Sequence, residues 1–260
     1  MKRNIVIMDF SGIYQEEQFY EGEQISWIDL SDISGTNCYC DGDAQAQILE
    51  RMEKYPVSGI YFMDSGNYHY VTEIMTSQIQ KEFQLVVFDH HTDMQKPMIE
   101  HMTSCGDWAE KVLETNPWLQ QLILIGPQAK DIEQLYREND GLMNRKEISE
   151  KLLTFSAEEI HAGEDKNKIS KMKKNLPVYI SIDKDILDKQ YTETNWSQGN
   201  MSLPMLERLL SHFLENGNIL GIDICGECQQ GIPLPEYLQA EELNEETNQK
   251  LFEFLSHYIL

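Results

Sequence analysis

Continuous apolar runs rich in β-branched residues recur along the chain, at residues 4–8, 59–63, 84–88, 121–125, 177–182 and 218–224. They do not alternate with polar positions, so they read as strands covered on both faces, as in a parallel sheet. Between them, residues 44–54 and 71–81 carry apolar positions at helical spacing. Residues 203–214 follow Ser202 as an N-cap, with Pro204 in the first turn, and residues 107–114 and 242–257 add further helices. Strands alternating with helices predict βαβ units. The expected fold is one α/β domain over residues 1–260, a three-layer αβα sandwich around a mostly parallel, doubly wound central sheet. No internal repeat, low-complexity tract or long linker divides it. Residues 15–43 form a long polar and aromatic connection of the kind that carries function near strand ends. Residues 164–174 read as a lysine-rich, solvated helix or loop.

Composition narrows the partners more than the fold. The 260 residues are 41% hydrophobic, 10% aromatic and 25% charged, enough to bury one large core. The formal net charge of -23 repels phosphate backbones and disfavours a nucleic-acid partner, while it suits a cationic substrate or a metal ion. Most of these acids need do no more than solvate the surface. The apolar run at residues 4–8 is cut short by Asp9, too soon for a signal segment. No stretch approaches the ~18 apolar residues that span a bilayer, so a cytoplasmic protein without a membrane partner is expected. Five cysteines, Cys38, Cys40, Cys105, Cys225 and Cys228, are an odd count that argues against a secreted disulfide framework. A tetrathiolate zinc site from Cys38-Tyr39-Cys40 and Cys225-Gly226-Glu227-Cys228 is disfavoured by the wide gap between the pairs and the absence of knuckle glycines. Buried thiols are the default.

Chemistry concentrates where strands end. In a parallel sheet, ligand-binding groups gather at the carboxyl edge. The run at 59–63 leads into Asp64-Ser65-Gly66-Asn67-Tyr68-His69, that at 84–88 into Asp89-His90-His91-Thr92-Asp93, and that at 177–182 into Asp183-Lys184-Asp185. At period two, Asp89, His91 and Asp93 point the same way, as do Asp183 and Asp185. Any one of these is ordinarily a loop start or a satisfied histidine. Together with His69 they make four carboxylates and two imidazoles, more than one zinc needs and suited to two divalent ions with mixed N and O ligands, Mn2+ being a natural occupant. Without metal, acids so crowded repel or raise one another's pKa.

Two segments resemble motifs of the arginase, agmatinase and formimidoylglutamase family, the ureohydrolases. Asp89-His90-His91-Thr92-Asp93 is similar to its Asp-Ala-His-x-Asp, and Ser181-Ile182-Asp183-Lys184-Asp185-Ile186-Leu187-Asp188 to its Ser-x-Asp-x-Asp-x-Leu-Asp. Gly66-Asn67-Tyr68-His69 resembles a degenerate Gly-Gly-Asp-His. The resemblance implies two Mn2+ per chain, one held by His69, Asp89, Asp93 and Asp183 and the other by Asp89, His91, Asp183 and Asp185. It further implies a bridging hydroxide that attacks a guanidino or formimino carbon, with Asp93 accepting its hydrogen bond, and a homo-oligomer acting on a small molecule. His90 stands where the family has Ala, and period two turns it away from the ligands.

The match has departures. Asn195-Trp196-Ser197-Gln198-Gly199 occupies the loop where the family has a Gly-Thr pair, which makes Trp196 and Ser197 the expected substrate-binding residues. The family grips the guanidinium with a Glu three residues after an Asp, but Asp223-Ile224-Cys225-Gly226-Glu227 puts Gly226 there and leaves Glu227 as the substitute. His101 is the candidate for the proton-shuttle histidine. Three other readings stay open. One is an Asp-His-His phosphoesterase, whose family has its Asp-x-Asp upstream, whereas Asp183-Lys184-Asp185 lies downstream here. Another is an amide deacetylase, which keeps fewer ligands. The third is a metal-binding member without turnover.

Overall fold

The computed structural model describes residues 4–163 and 166–259. In chain order, β1 (Asn4–Asp9), β2 (Ile25–Asp29) and β3 (Tyr39–Cys40) precede α1 (Gly42–Met52), β4 (Gly59–Phe62), α2 (Val71–Ser77) and β5 (Phe83–Phe88). Then come β6 (Thr103–Ser104), α3 (Trp108–Thr115), β7 (Leu119–Ile125), α4 (Ala129–Glu138), α5 (Asp140–Met143), α6 (Lys146–Ser149) and β8 (Leu152–Phe155). The remainder is α7 (Ala157–Ala162), α8 (Lys166–Ile169), β9 (Pro177–Asp183), α9 (Leu203–Asn216), β10 (Asn218–Cys225) and α10 (Leu234–Ile259). Eight strands pair in parallel in the order β2-β1-β4-β10-β9-β5-β7-β8, while β3 and β6 form a separate antiparallel ribbon.

Alternate residues of the central strands feed two cores, one on each face. Ile60, Phe62, Val86, Phe88, Ile180 and Ile182 pack with Leu206, Leu210 and Phe213 of α9 and Leu251, Phe252 and Leu255 of α10. Tyr61, Leu85, Val87 and Tyr179 pack on the other face with Ile48 of α1, Ile74 of α2 and Trp108 and Val112 of α3. Each such side chain removed from water contributes about 1.5–3 kcal/mol. This double burial is why the strands are apolar throughout, and it makes the expected three-layer αβα sandwich.

The edges differ from expectation. β2 and β8 lie at the two ends of the sheet and were not signalled by the apolar pattern. In β2, I-S-W-I-D is only partly buried, and β8 has four residues. α2 stops at Ser77 rather than reaching residue 81, because Phe83 already pairs its amide with the Trp118 carbonyl to start β5. α10 begins eight residues before the predicted 242, in a stretch whose Leu234 and Leu238 are exposed and give no apolar stripe. Of the lysine-rich patch, Glu164 and Asp165 lie outside the described residues; beyond them Lys168 of α8 pairs with Glu159. No helix of the described residues is long and apolar enough to cross a membrane.

Candidate metal centre

Four adjacent strands, β4, β10, β9 and β5, end at one edge of the sheet. The chain runs from β4 to β5 leaving space that β9 and β10 later fill, a switch in strand order of the kind that opens a crevice at carboxyl ends. Parallel register then brings distant residues level. Cys225 pairs with Asp183, and Phe88 with Ile182, so Asp89, Asp183 and Cys225 leave the sheet side by side.

His69 reaches this edge from the turn that precedes α2. Its Nε2 is hydrogen-bonded to Ser181 Oγ at 2.9 Å. Its Nδ1 faces Asp93 Oδ2 at 3.0 Å, Asp89 Oδ2 at 3.2 Å and Asp183 Oδ2 at 3.6 Å. His91 repeats the arrangement: Nε2 meets Ser197 Oγ at 2.9 Å, and Nδ1 faces Asp185 Oδ2 at 2.8 Å and Asp89 Oδ1 at 3.5 Å. In each imidazole a hydroxyl fixes one nitrogen and leaves the other for the acids, as in histidines that bind metals.

Backbone and indole donors hold the carboxylates. Trp108 Nε1 donates to Asp93 Oδ2 at 2.6 Å, and Asp93 adopts a left-handed φ of 48°. The amide of Asp185 donates to Asp183 Oδ1 at 2.9 Å and that of His90 to Asp185 Oδ1 at 3.0 Å. Gly66 is required by proximity, since a Cβ there would lie 2.9 Å from Asp183 Oδ2 and 2.8 Å from Trp196 Cδ1.

The electrostatics are those of a site short of positive charge. Burial, then Asp185 and Asp89, push Asp183 up to about 7. Burial, then Asp89, push Asp185 up to about 6. For His91 burial works the other way, yet the pull of the Asp185 and Asp89 carboxylates close beside it outweighs burial and raises the imidazole to about 12. His69 is likewise raised, with Cys225, Asp89 and Asp93 outweighing burial. Protons are retained where a cation would relieve the same repulsion.

The donors fit divalent ions. His69, Asp89 and Asp93 form one group and Asp89, His91 and Asp185 a second, with the ligand atoms of each group within 4.8 Å of one another. A third group, His69, Asp183 and Cys225, meets the same limit. Asp185 Oδ2 is buried without a hydrogen bond, its approach to His91 being close but not aligned for donation. Such an oxygen has a lone pair open to a ligand.

All six expected metal-binding residues therefore converge, and a cavity of about 260 Å3 opens over them. Asp89, His91, Asp93, Asp183 and Asp185 line it from below. Cys38, Tyr39, Cys105 and Trp196 form part of its wall, so the end of the 15–43 connection does reach the site. Trp196 is 44% exposed and donates Nε1 to Asn67 Oδ1 at 3.0 Å. Ser197 is engaged with His91. His90 stays outside the donor groups.

Two expectations are corrected by placement. Glu227 is fully buried and does not line the cavity. Its Oε1 takes Lys184 Nζ and Asn248 Nδ2, and its Oε2 takes Asn244 Nδ2. A carboxylate so occupied is not presented to a ligand. His101 is exposed, with a φ of 67°, and does not line the cavity either, so it lacks the placement a proton shuttle needs. Sequence reasoning missed Ser181, Trp108, Cys225 and the buried Lys184. For Lys184 a signal existed, because period two from Asp183 and Asp185 turns it inward. The five cysteines are free thiols, and no all-cysteine metal group occurs among the described residues.

Solved structures share the fold. Formimidoylglutamase from Bacillus subtilis superposes with a TM-score of 0.63 at 14% identity, over 98% of this chain and 88% of that one. Formiminoglutamase of Trypanosoma cruzi, solved with Mn2+, gives 0.60 at 11% identity, over 97% and 92%. In sequence, an uncharacterized protein of Thermotoga maritima is 28% identical over 256 residues, 98% of this chain and 92% of the relative. The sequence model of the Arginase family matches residues 8–227, from the first strand to the turn behind the carboxylate cluster, and the chain belongs to that family.

Proposed function

We propose that the protein is a hydrolase dependent on two Mn2+ per chain that cleaves a non-peptide C–N bond in the guanidino or formimino group of a small linear molecule. The observation that carries this reading is the pair of donor groups sharing Asp89 beneath one cavity. His69, Asp89, Asp93 and Asp183 would hold one ion, and Asp89, His91, Asp183 and Asp185 the other. Divalent cations held there would supply Lewis acidity and lower the pKa of bound water toward neutral. The Mn2+ in the Trypanosoma cruzi relative supports the choice of ion.

The chain's own residues do the positioning. Ser181 and Ser197 fix the two imidazoles. Asp93, at the cavity with its Oδ2 held by Trp108, is the carboxylate we assign to handling a proton in turnover. Trp196 narrows the mouth against bulk water. The reading carries with it a cytoplasmic homo-oligomer with a small-molecule substrate and neither nucleic acid nor membrane as partner.

One observation favours a second reading. With Glu227 withdrawn and Gly226 bearing no side chain, the last strand offers no acid to a guanidinium. A substrate altered toward an amide, or metal binding without turnover, is consistent with that wall. Metal analysis after loading with Mn2+ should give close to two ions per chain, lost in Asp183→Ala; one ion or none sinks the two-metal reading. Screening guanidino, formimino and N-acyl compounds for release of urea, formamide, ammonia or acid then separates the substrate classes. Phosphodiester turnover would instead favour phosphoesterase chemistry.

A further inference from the structure

We propose that Cys225 is a metal ligand on the His69 side of the centre, and that its thiolate makes this position select zinc over manganese. The proposal rests on the metal-dependent reading above and refines which ion one half of the centre holds.

The position of Cys225 follows from the sheet. β10 ends on it, in register with Asp183 on β9, so both side chains leave at the same level. Sγ lies 3.3 Å from Asp183 Oδ2, and with His69 the three donor atoms fall within 4.8 Å of one another. All three residues are buried, at 0%, 3% and 1% exposure for Cys225, Asp183 and His69. Gly226 then turns the chain with a φ of 99°. Lacking a Cβ, it places nothing between Sγ and the carboxylate. Cys228, three residues on, packs into the core beside α10 and takes no part.

The two halves of the centre thus differ in chemistry. Asp89, His91 and Asp185 offer only nitrogen and oxygen, which suits manganese. On the His69 side Cys225 adds a sulfur to the nitrogen of His69 and the carboxylates of Asp89, Asp93 and Asp183. Thiolate is a soft ligand that favours zinc, and zinc takes mixed sulfur, nitrogen and oxygen ligands. Ligation exchanges the S–H bond for a sulfur–metal bond, and the thiol proton leaves to solvent.

The test uses the full chain stripped by a chelator and reloaded with zinc alone. X-ray absorption at the zinc edge should show a sulfur scatterer at about 2.3 Å beside nitrogen and oxygen at about 2.0–2.1 Å. Cys225→Ala and Cys225→Ser should both lose the sulfur shell. Zinc outbinds manganese at most sites, so the informative quantity is the change in their ratio. In direct competition the zinc preference of Cys225→Ala should fall by at least about tenfold. Two bound ions with nitrogen and oxygen scatterers only, or an unchanged ratio in Cys225→Ala, overturn the proposal alone. Failure of the wild-type chain to bind any divalent ion overturns it together with the two-metal reading. The wild-type spectrum decides even where a variant does not fold.

Discussion

Asp183, Lys184 and Asp185 are consecutive, yet they serve two buried polar clusters that lie back to back. In front, Asp183 and Asp185 join Asp89, Asp93, His69 and His91. Behind, Lys184 Nζ donates to Glu227 Oε1 and to Asn248 Oδ1 at 2.8 Å, while Asn244 Nδ2 donates to Glu227 Oε2 at 3.0 Å. The rear cluster carries its own cation. Its second acid, Glu17, is pushed up to about 9 by burial and then by Glu227, so near neutral pH it adds no charge. The front cluster has four acids, and its carboxyls Asp183 and Asp185 sit at raised pKa values beside histidines that hold their protons. One side is balanced by the chain itself, and the other by protons held where a cation would fit.

Charge-removing substitutions on the two sides should therefore act in opposite directions. Lys184→Met leaves Glu227 buried and unpaired, and urea unfolding should show a loss of about 3–5 kcal/mol, with or without metal. Adding Glu227→Met should recover most of it. Asp183→Asn should leave the metal-free protein as stable as wild type or more so, while abolishing stabilisation by Mn2+. That stabilisation should be about 2.7 kcal/mol in wild type at a hundredfold excess over Kd. If Asp183→Asn costs the metal-free protein as much as Lys184→Met, the contrast fails.

Dependence on pH sharpens the comparison with smaller effects. Asp183 and Asp185 are raised from 3.8 to about 7 and about 6. Groups with raised folded pKa values contribute stability that is complete below the unfolded value and is lost as pH rises through the folded one. Metal-free protein should accordingly lose stability from about pH 4 to about 7, and with Mn2+ present the melting temperature should rise over the same window. Glu17, raised from 4.5 to about 9, adds a loss that overlaps this window and continues toward alkaline pH. Glu17→Gln should remove the loss that this group adds between pH 4.5 and about 9 and leave the part due to Asp183 and Asp185; an unchanged pH profile would mean that Glu17 is not held protonated in the folded chain. The smallest effect belongs to Ser197→Ala, which frees His91 Nε2. Manganese affinity should fall about tenfold by calorimetry, with little change in the urea midpoint.

How much of this was legible varies with the kind of interaction. The six central strands declared themselves because burial on both faces requires unbroken apolar runs, whereas β2 and β8, each with a neighbour on one side only, had no such requirement. The candidate metal donors were readable because acids and histidines that end strands have few structural uses in common. Glu227 was misread for a physical reason: its partners Asn244 and Asn248 come from α10, and no local pattern announces a pairing across that separation. Cys225 was invisible for the opposite reason, since a buried thiol at a strand end is ordinary until register sets it beside Asp183.

Gly226 limits what can be engineered into this pocket. A Cβ added there would meet Asp183 Oδ1 at 2.5 Å and the Lys184 amide nitrogen at 2.7 Å, on a backbone already at a φ of 99°. Exchanging this one residue for glutamate would push the Asp183 carboxylate out of place before the new acid reached the cavity. Restoring an acid to this wall is a loop transplant, in which the turn after β10 is rebuilt as a unit.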